Sequence, residues 1–269
     1  AEYFFKPENE EQLIEFIKEN KKYNLPITIL GAGSNTLIRD KGIKGVVIKL
    51  GPNFSKIKLI DDRTIEVGAA TLDKKVSGFA KDNSISGFEF LSCIPGSVGG
   101  AVIMNSGCYG EDISKILVSI DVVDLKSGQK KTFKNGDIKF HYRGTDLPDN
   151  FLITSILLRG ECKSKDLIEK IQNEMIIKKK RSQPSQIKTC GSTFKNVNFE
   201  TKAWKLIKET GCNKFKEGDA AISEKHCNFF VNNGNARAAD IEKLIHKVKK
   251  AVNDKTGVDL ELEIKIIGD

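Results

Sequence analysis

Residues 94–110 read IPGSVGGAVIMNSGCYG, and this stretch decides the fold. Five glycines (Gly96, Gly99, Gly100, Gly107 and Gly110) alternate with small side chains, so the backbone is free to approach a bulky ligand and to take positive φ. A chain of this texture makes a cradle rather than a core strand, and its bare amides can form a nest for the oxygens of a pyrophosphate. Glycines of the same spacing also make tight turns against a packed core, and the stretch alone leaves both readings open.

Outward from it, the totals bound the answer. A chain of 269 residues carries a substantial core and suggests two domains. No apolar run has the length of a bilayer span, and no charged start followed by an apolar block resembles a signal peptide, so a cytoplasmic protein without membrane contact is expected. Six cysteines, at 93, 108, 162, 190, 212 and 227, never fall into paired metal spacing, and three histidines form no H-E-x-x-H pattern. Reduced thiols and no metal follow. Ser97 is not in a nucleophile elbow, because Pro95 stands where the first glycine would be. The net charge of +8 permits a polyanion partner, but the lysines are dispersed among 36 acids and no aromatic-basic recognition motif is present. A positive cleft for an anionic small molecule accounts for the charge without nucleic acid.

Apolar spacing predicts a helix over Asn9–Tyr23, a strand at Ile27–Leu30 emptying into the loop Gly31-Ala32-Gly33-Ser34-Asn35, and a strand at Val46–Leu50. Strands at Ile57–Ile60 and Thr64–Val67 precede a helix near Thr71–Asn83 with Leu72, Val76, Phe79 and Ala80 on one face. Ile120–Leu125 and Lys130–Lys134 read as a hairpin, followed by a strand at Phe151–Leu158. Beyond Gly160 a long helix is expected with Leu167, Ile168, Ile171 and Met175 inward. A crossing loop then leads to CGSTFKN (Cys190–Asn196), a short helix around Trp204, a strand at Asn228–Val231, a second long helix carrying Ile241 to Val252, and a closing strand at Leu260–Ile267. The expected organisation is α+β, with a first domain at 1–160, split into two lobes near residue 50, and a second at 161–269.

Three polar residues stand where structure does not ask for them: Arg143 after a strand end, Ser192 in a glycine turn, and Glu263 inside the final apolar strand. Each has an ordinary explanation, as a surface guanidinium, a turn hydroxyl or an outward strand position. As a set, a cation, a hydroxyl acid and a carboxylate can handle an anionic enol.

At this point the sequence resembles the UDP-N-acetylenolpyruvoylglucosamine reductase family. The matching segments are LGAGSN at 30–35, the stretch at 94–110, YRGT at 142–145, CGSTFKN at 190–196 and ELEIKIIG at 261–268. The absence of a long insertion between Phe151 and Ser164 looks like the shorter, type II subtype. The resemblance implies a FAD-binding fold of the vanillyl-alcohol-oxidase type, with FAD held non-covalently between two α+β lobes, and a C-terminal α+β substrate domain whose last strand, 259–267, returns a catalytic residue to the flavin. It implies that Gly31, Ala32, Gly33, Ser34, Asn35, Pro95, Gly96, Ser97, Val98, Gly99 and Gly100 hold the pyrophosphate, and that Asn105, Gly107 and Tyr109 lie along the rest of the cofactor. NADPH is the implied hydride donor and UDP-N-acetylglucosamine enolpyruvate the acceptor. Arg143 and Glu263 would then polarise the substrate carboxylate, Ser192 would give a proton to the adjacent carbon, and Lys195 and Asn196 would meet the substrate, with Lys195 a candidate to stabilise the serine alkoxide. A monomer is expected. The usual Y-R-x-S of the family appears here with Thr145 in the last place. Family members also carry a threonine- and glycine-containing segment ahead of the position of Ala1, which the resemblance makes one wall of the flavin site. Two alternatives stay open: another flavin oxidase of this fold, tethered through Cys108, and a basic polyanion-binding module that needs neither Ser192 nor Glu263.

Overall fold

The computed structural model describes residues 1–198 and 200–269, and the packing divides the chain into two compact units. The first comprises Ala1–Ala32 and Gly45–Lys178, the second Gly33–Lys44 and Lys179–Asp269.

In the first unit, helix α1 (Glu10–Tyr23) is started by Asn9, whose side chain accepts from Gln12 N, and stopped by Asn24 in the left-handed region at φ 50. Acids in its first turn and lysines in its last suit the helix dipole. It buries Leu13 and Ile17 against Val46, Ile48, Val123 and Leu152. Beneath it runs a parallel sheet in which Val46–Ile48 lies between Tyr3–Phe5 and Ile27–Ile29. All three residues of that middle strand are buried, as expected of a parallel strand covered on both faces.

The larger sheet of this unit is antiparallel, in the order Lys130–Lys134, Leu117–Asp124, Phe151–Arg159, Thr64–Gly68, Ile57–Leu59. Ile65, Val67, Ile120, Val122, Ile156 and Leu158 form its core with helices α2 (Asp73–Asp82) and α3 (Val98–Ile103). Two expectations change here. Leu72 is the exposed cap residue of α2 rather than part of its inner face, and α3 is a helix inside the glycine stretch. Val98, Ala101 and Val102 supply a buried helical face that the poor helix formers Gly99 and Gly100 hide from a periodicity reading.

Helix α4 (Lys165–Ser182) buries Ile168, as its spacing predicts, together with Gln172, but turns Leu167 outward. The Gln172 amide donates to Ser77 O and Oγ, at 3.0 and 2.8 Å, which ties α4 to α2. Most of this helix therefore belongs to the first unit, and the division falls at Lys178 rather than at residue 160.

The second unit is built on an antiparallel sheet in the order Thr189–Ser192, Phe229–Asn232, Ala220–Ile222, Lys216–Glu217. Helices α5 (Ala203–Glu209) and α6 (Ala238–Thr256) cover it, and α6 buries Ile241, Leu244, Ile245, Val248 and Val252, the face its sequence spacing predicts. Asp40 accepts from Ala238 N and Ala239 N and so caps α6 across about two hundred residues of chain. The closing strand is shorter than expected. Only Lys265–Ile267 forms one, parallel to Thr36–Ile38, while Leu262 makes an isolated bridge to Phe194. The chain changes partner between these two pairings, and Glu263 lies at the change.

Candidate active site

Within the first unit, the glycine stretch is held from both sides. On one side, Val98 N donates to Thr71 O and Gly99 N to Ala69 O, and Asp73 N donates to Gly96 O. These bonds overturn part of the nest reading, because the Val98 and Gly99 amides are committed to backbone carbonyls. The glycines also separate into two kinds. A Cβ on Gly99 would meet Ala69 Cβ and O at 3.0 Å, and one on Gly107 would meet Glu111 O at 2.2 Å, so packing accounts for both. Gly100 is exposed on α3, and a Cβ there would meet nothing nearer than Ser97 Oγ at 3.7 Å. A helical glycine without a packing reason destabilises by roughly 1 kcal/mol relative to alanine, so packing does not account for Gly100 as it does for Gly99 and Gly107. Gly31 belongs to the same place, since its Cβ would lie 2.9 Å from Ser97 Oγ.

On the other side, the hairpin Phe140–His141/Gly144–Thr145 leans on the stretch. Asn105 is buried and its amide donates to His141 O at 3.2 Å, while its Oδ1 accepts from Ser114 N. Thr145, the residue that departs from the family pattern, donates its hydroxyl to Ile103 O at 3.3 Å and anchors the hairpin to the end of α3. Arg143 occupies the tip at φ 61, a left-handed conformation that costs a residue other than glycine about 1–2 kcal/mol. Its Nη2 donates to Gly107 O at 2.9 Å, and its guanidinium lies 5.0 Å from the Tyr142 ring centre. The structure thus brings Arg143, Asn105 and Gly107 together. Tyr109, also at positive φ, packs its ring under Lys178 Nζ at 4.8 Å, and burial is the first cause that pushes its hydroxyl pKa up. Cys108 directs its thiol to Phe90 O at 3.6 Å.

Within the second unit, Gly191 at φ 89 bends the strand that carries Ser192, which pairs with Phe229. Asn228 clamps the next turn, because its Oδ1 accepts from Phe194 N at 3.0 Å and its Nδ2 donates to Phe194 O at 2.8 Å. No motif in the sequence marks Asn228. Glu263 N donates to Thr193 O at 2.9 Å, and Asn35 Nδ2 donates to Glu263 O at 3.0 Å. Asn35 is therefore beside Glu263 and the Ser192 turn, and Gly33 and Ser34 belong to this unit with it, whereas Gly31 and Ala32 belong to the first. Lys195 forms an ion pair with Glu261 at 2.6 Å, and Asn196 Oδ1 accepts from Ala203 N, where α5 begins. The Cys190 thiol donates to Thr36 O at 3.2 Å, and burial pushes its pKa up. Among the described residues no cluster of three or more potential ligands could hold a metal, and no helix is long and apolar enough to cross a membrane.

Residues 183–267 match the family model described as UDP-N-acetylenolpyruvoylglucosamine reductase, C-terminal domain, and residues 1–133 match the FAD binding domain model. A Pelagibacter ubique protein named UDP-N-acetylenolpyruvoylglucosamine reductase is 48% identical, over 98% of this chain and 87% of its own. The chain belongs to the UDP-N-acetylenolpyruvoylglucosamine reductase family. A reductase of that name from Rickettsia canadensis is 44% identical over 100% of this chain and 90% of its own. The crystal structure of UDP-N-acetylenolpyruvylglucosamine reductase from Thermus caldophilus superposes with a TM-score of 0.86 at 32% identity, covering 98% of this chain and 92% of that one. The reductase family accounts for the α+β fold, makes the chain a flavin-dependent oxidoreductase, and sets aside the polyanion-binding module.

Proposed function

We propose that this chain reduces UDP-N-acetylglucosamine enolpyruvate to UDP-N-acetylmuramate, with NADPH as donor, as a monomer in cytoplasmic peptidoglycan precursor synthesis. The first unit would hold FAD over Gly31, Gly96, Ser97 and Gly100, and the second would hold the sugar nucleotide, with Lys195 and Asn196 among its contacts. The observation that carries the residue assignment is Arg143, fixed at a left-handed hairpin tip with its guanidinium on the glycine stretch itself. A cation so placed beside the cofactor segment serves an anionic substrate better than it serves the fold.

When bound, the flavin supplies the two-electron chemistry that links nicotinamide to the enol ether double bond. Addition at the methylene carbon leaves negative charge on the neighbouring carbon and its carboxylate, and that charge must be stabilised where it develops. Arg143 is the cation for that purpose. The carboxyl of Glu263 would accompany it as a hydrogen-bonding partner of the substrate carboxylate, positioned through the bonds that Thr193 and Asn35 make to its backbone. Ser192 would deliver the proton that completes the saturated lactyl ether.

Replacement of Ser192 by alanine separates the two halves of the cycle. Bleaching of the flavin by NADPH should persist at the rate of the parent protein, while its reoxidation by the enolpyruvyl sugar should slow by about 10²–10⁴-fold, the usual contribution of a general acid. Stopped-flow absorbance under anaerobic conditions reads both. Equal loss in both halves would assign Ser192 to folding or cofactor binding instead.

A further inference from the structure

Next to the segments that carry Ser192 and Glu263, the second unit contains a cavity of about 420 Å³, a volume that suits one small organic molecule. Every residue lining it belongs to this unit. Its walls come from stretches far apart in sequence: the strand after Asn35, the turn that carries Ser192, the strand Phe229–Asn232 and the start of α6.

The interior favours carbon. Leu37, Phe230, Ile241 and Ile264 line it, and three of the polar side chains among them are already engaged. Thr189 Oγ1 donates to Phe230 O at 2.7 Å, and the Cys190 thiol donates to Thr36 O. The Asn232 amide donates to Ala236 O, while its Oδ1 accepts from Gly234 N and Ala236 N. Asp40 already takes the first amides of α6. A ligand body placed here gains by burying apolar surface and finds few free hydrogen-bonding groups.

The rim is different. Lys188 and Arg237 line the cavity and are both exposed, and Ile38, 42% exposed, adds an apolar part to the same rim. Arg237 keeps Asp240 at 3.8 Å, whereas Lys188 has no acidic partner among the described residues. An apolar interior with an uncompensated cation at its rim complements a carbon chain that ends in an anion. We propose that this cavity is a binding site for one free aliphatic carboxylate of medium length, with its tail among Leu37, Phe230, Ile241 and Ile264 and its carboxylate on Lys188. The volume is too small for the paired long chains of a membrane lipid.

Occupancy reaches the reaction through the walls. Cys190 and Thr193 bracket Gly191 and Ser192, and Ile264 follows Glu263, so a tail seated between these segments alters the placement of both side chains. Resting, for this consequence alone, on the reaction proposed above, bound carboxylate slows reoxidation of the flavin by the enolpyruvyl sugar and leaves its bleaching by NADPH unchanged.

Isothermal titration calorimetry of the FAD-loaded full chain with hexanoate, octanoate and decanoate tests the site. One carboxylate should bind per chain, and Kd should fall about fourfold with each added methylene, the value of burying one CH₂. Decyltrimethylammonium, with the same tail and the opposite charge, should bind at least about tenfold more weakly than decanoate, and Lys188→Glu should reverse that order. Ile38→Trp and Ala236→Leu fill the cavity from two different walls, and each should abolish binding while bleaching by NADPH is unchanged. Far-UV circular dichroism and a urea midpoint show that each variant is folded. No saturable binding to the parent chain, a Kd indifferent to the charge of the headgroup, or binding that survives both filling substitutions overturns the site. In anaerobic stopped-flow, saturating decanoate should slow reoxidation about tenfold, and an unchanged rate overturns the coupling. A parent chain that binds decanoate but whose reduced flavin is never reoxidised by the enolpyruvyl sugar overturns the proposed reaction and not the site.

Discussion

Asn228 shows how a residue without chemistry of its own can govern a site. Both ends of its amide are used on the backbone of Phe194, two residues beyond Ser192, in a fully buried setting. Asn228→Ala would leave a buried N–H and a buried C=O unsatisfied, and the expected loss of stability is about 3 kcal/mol. Urea denaturation followed by circular dichroism measures it, and an unchanged midpoint would show that the turn is held by other contacts. Arg143 and Ser192 were legible in the sequence because each interrupts a local pattern. Asn228 was not, since its partner lies more than thirty residues away and an asparagine at a strand edge carries no signal. Thr145 is similar: its hydroxyl could be read, but not the Ile103 carbonyl that receives it.

At the scale of elements, the glycine stretch is partly a helix, and its glycines have different reasons for being there. Ala69 crowds Gly99, whereas a Cβ on Gly100 would meet only Ser97 Oγ at an ordinary contact distance of 3.7 Å, in helical backbone. Gly100→Ala should therefore raise the stability of the flavin-free protein by about 1 kcal/mol, through helix propensity, while weakening FAD binding at least tenfold by occupying the cofactor's approach. Gly99→Ala should destabilise the protein instead. Thermal melts of the flavin-free proteins, paired with flavin titration, decide between them. An alanine at position 100 that leaves FAD affinity untouched would return Gly100 to a purely structural role. The long helices and the hairpin were readable because their apolar spacing is local. The closing strand was overestimated because its residues pair with two different partners, which spacing does not encode.

For the molecule as a whole, the +8 charge spread over its lysines bears on the rate at which anionic substrates arrive. Raising ionic strength from about 0.02 to 0.2 M shortens the Debye length from roughly 20 to 7 Å, and KM for the sugar nucleotide and for NADPH should rise several-fold with kcat nearly constant. Steady-state kinetics in a chloride series reads this, and a KM indifferent to salt would mean that only short-range contacts recruit the substrates. The same scale settles how the chain divides. Gly33–Lys44 belongs with the C-terminal residues because Thr36–Ile38 pairs with Lys265–Ile267, although the sequence places it among the first domain's strands. The sequence by itself determined the reaction family and the long helices, and it singled out the three polar residues at issue, since motif chemistry and helical spacing are written within a few neighbouring residues. Only the tertiary structure decided which glycines are packed and which are bare, which amides are already committed, and that the Asp73 carboxyl is sealed from water without a partner. Burial and hydrogen-bond satisfaction are set by segments far apart along the chain, and no local pattern contains them.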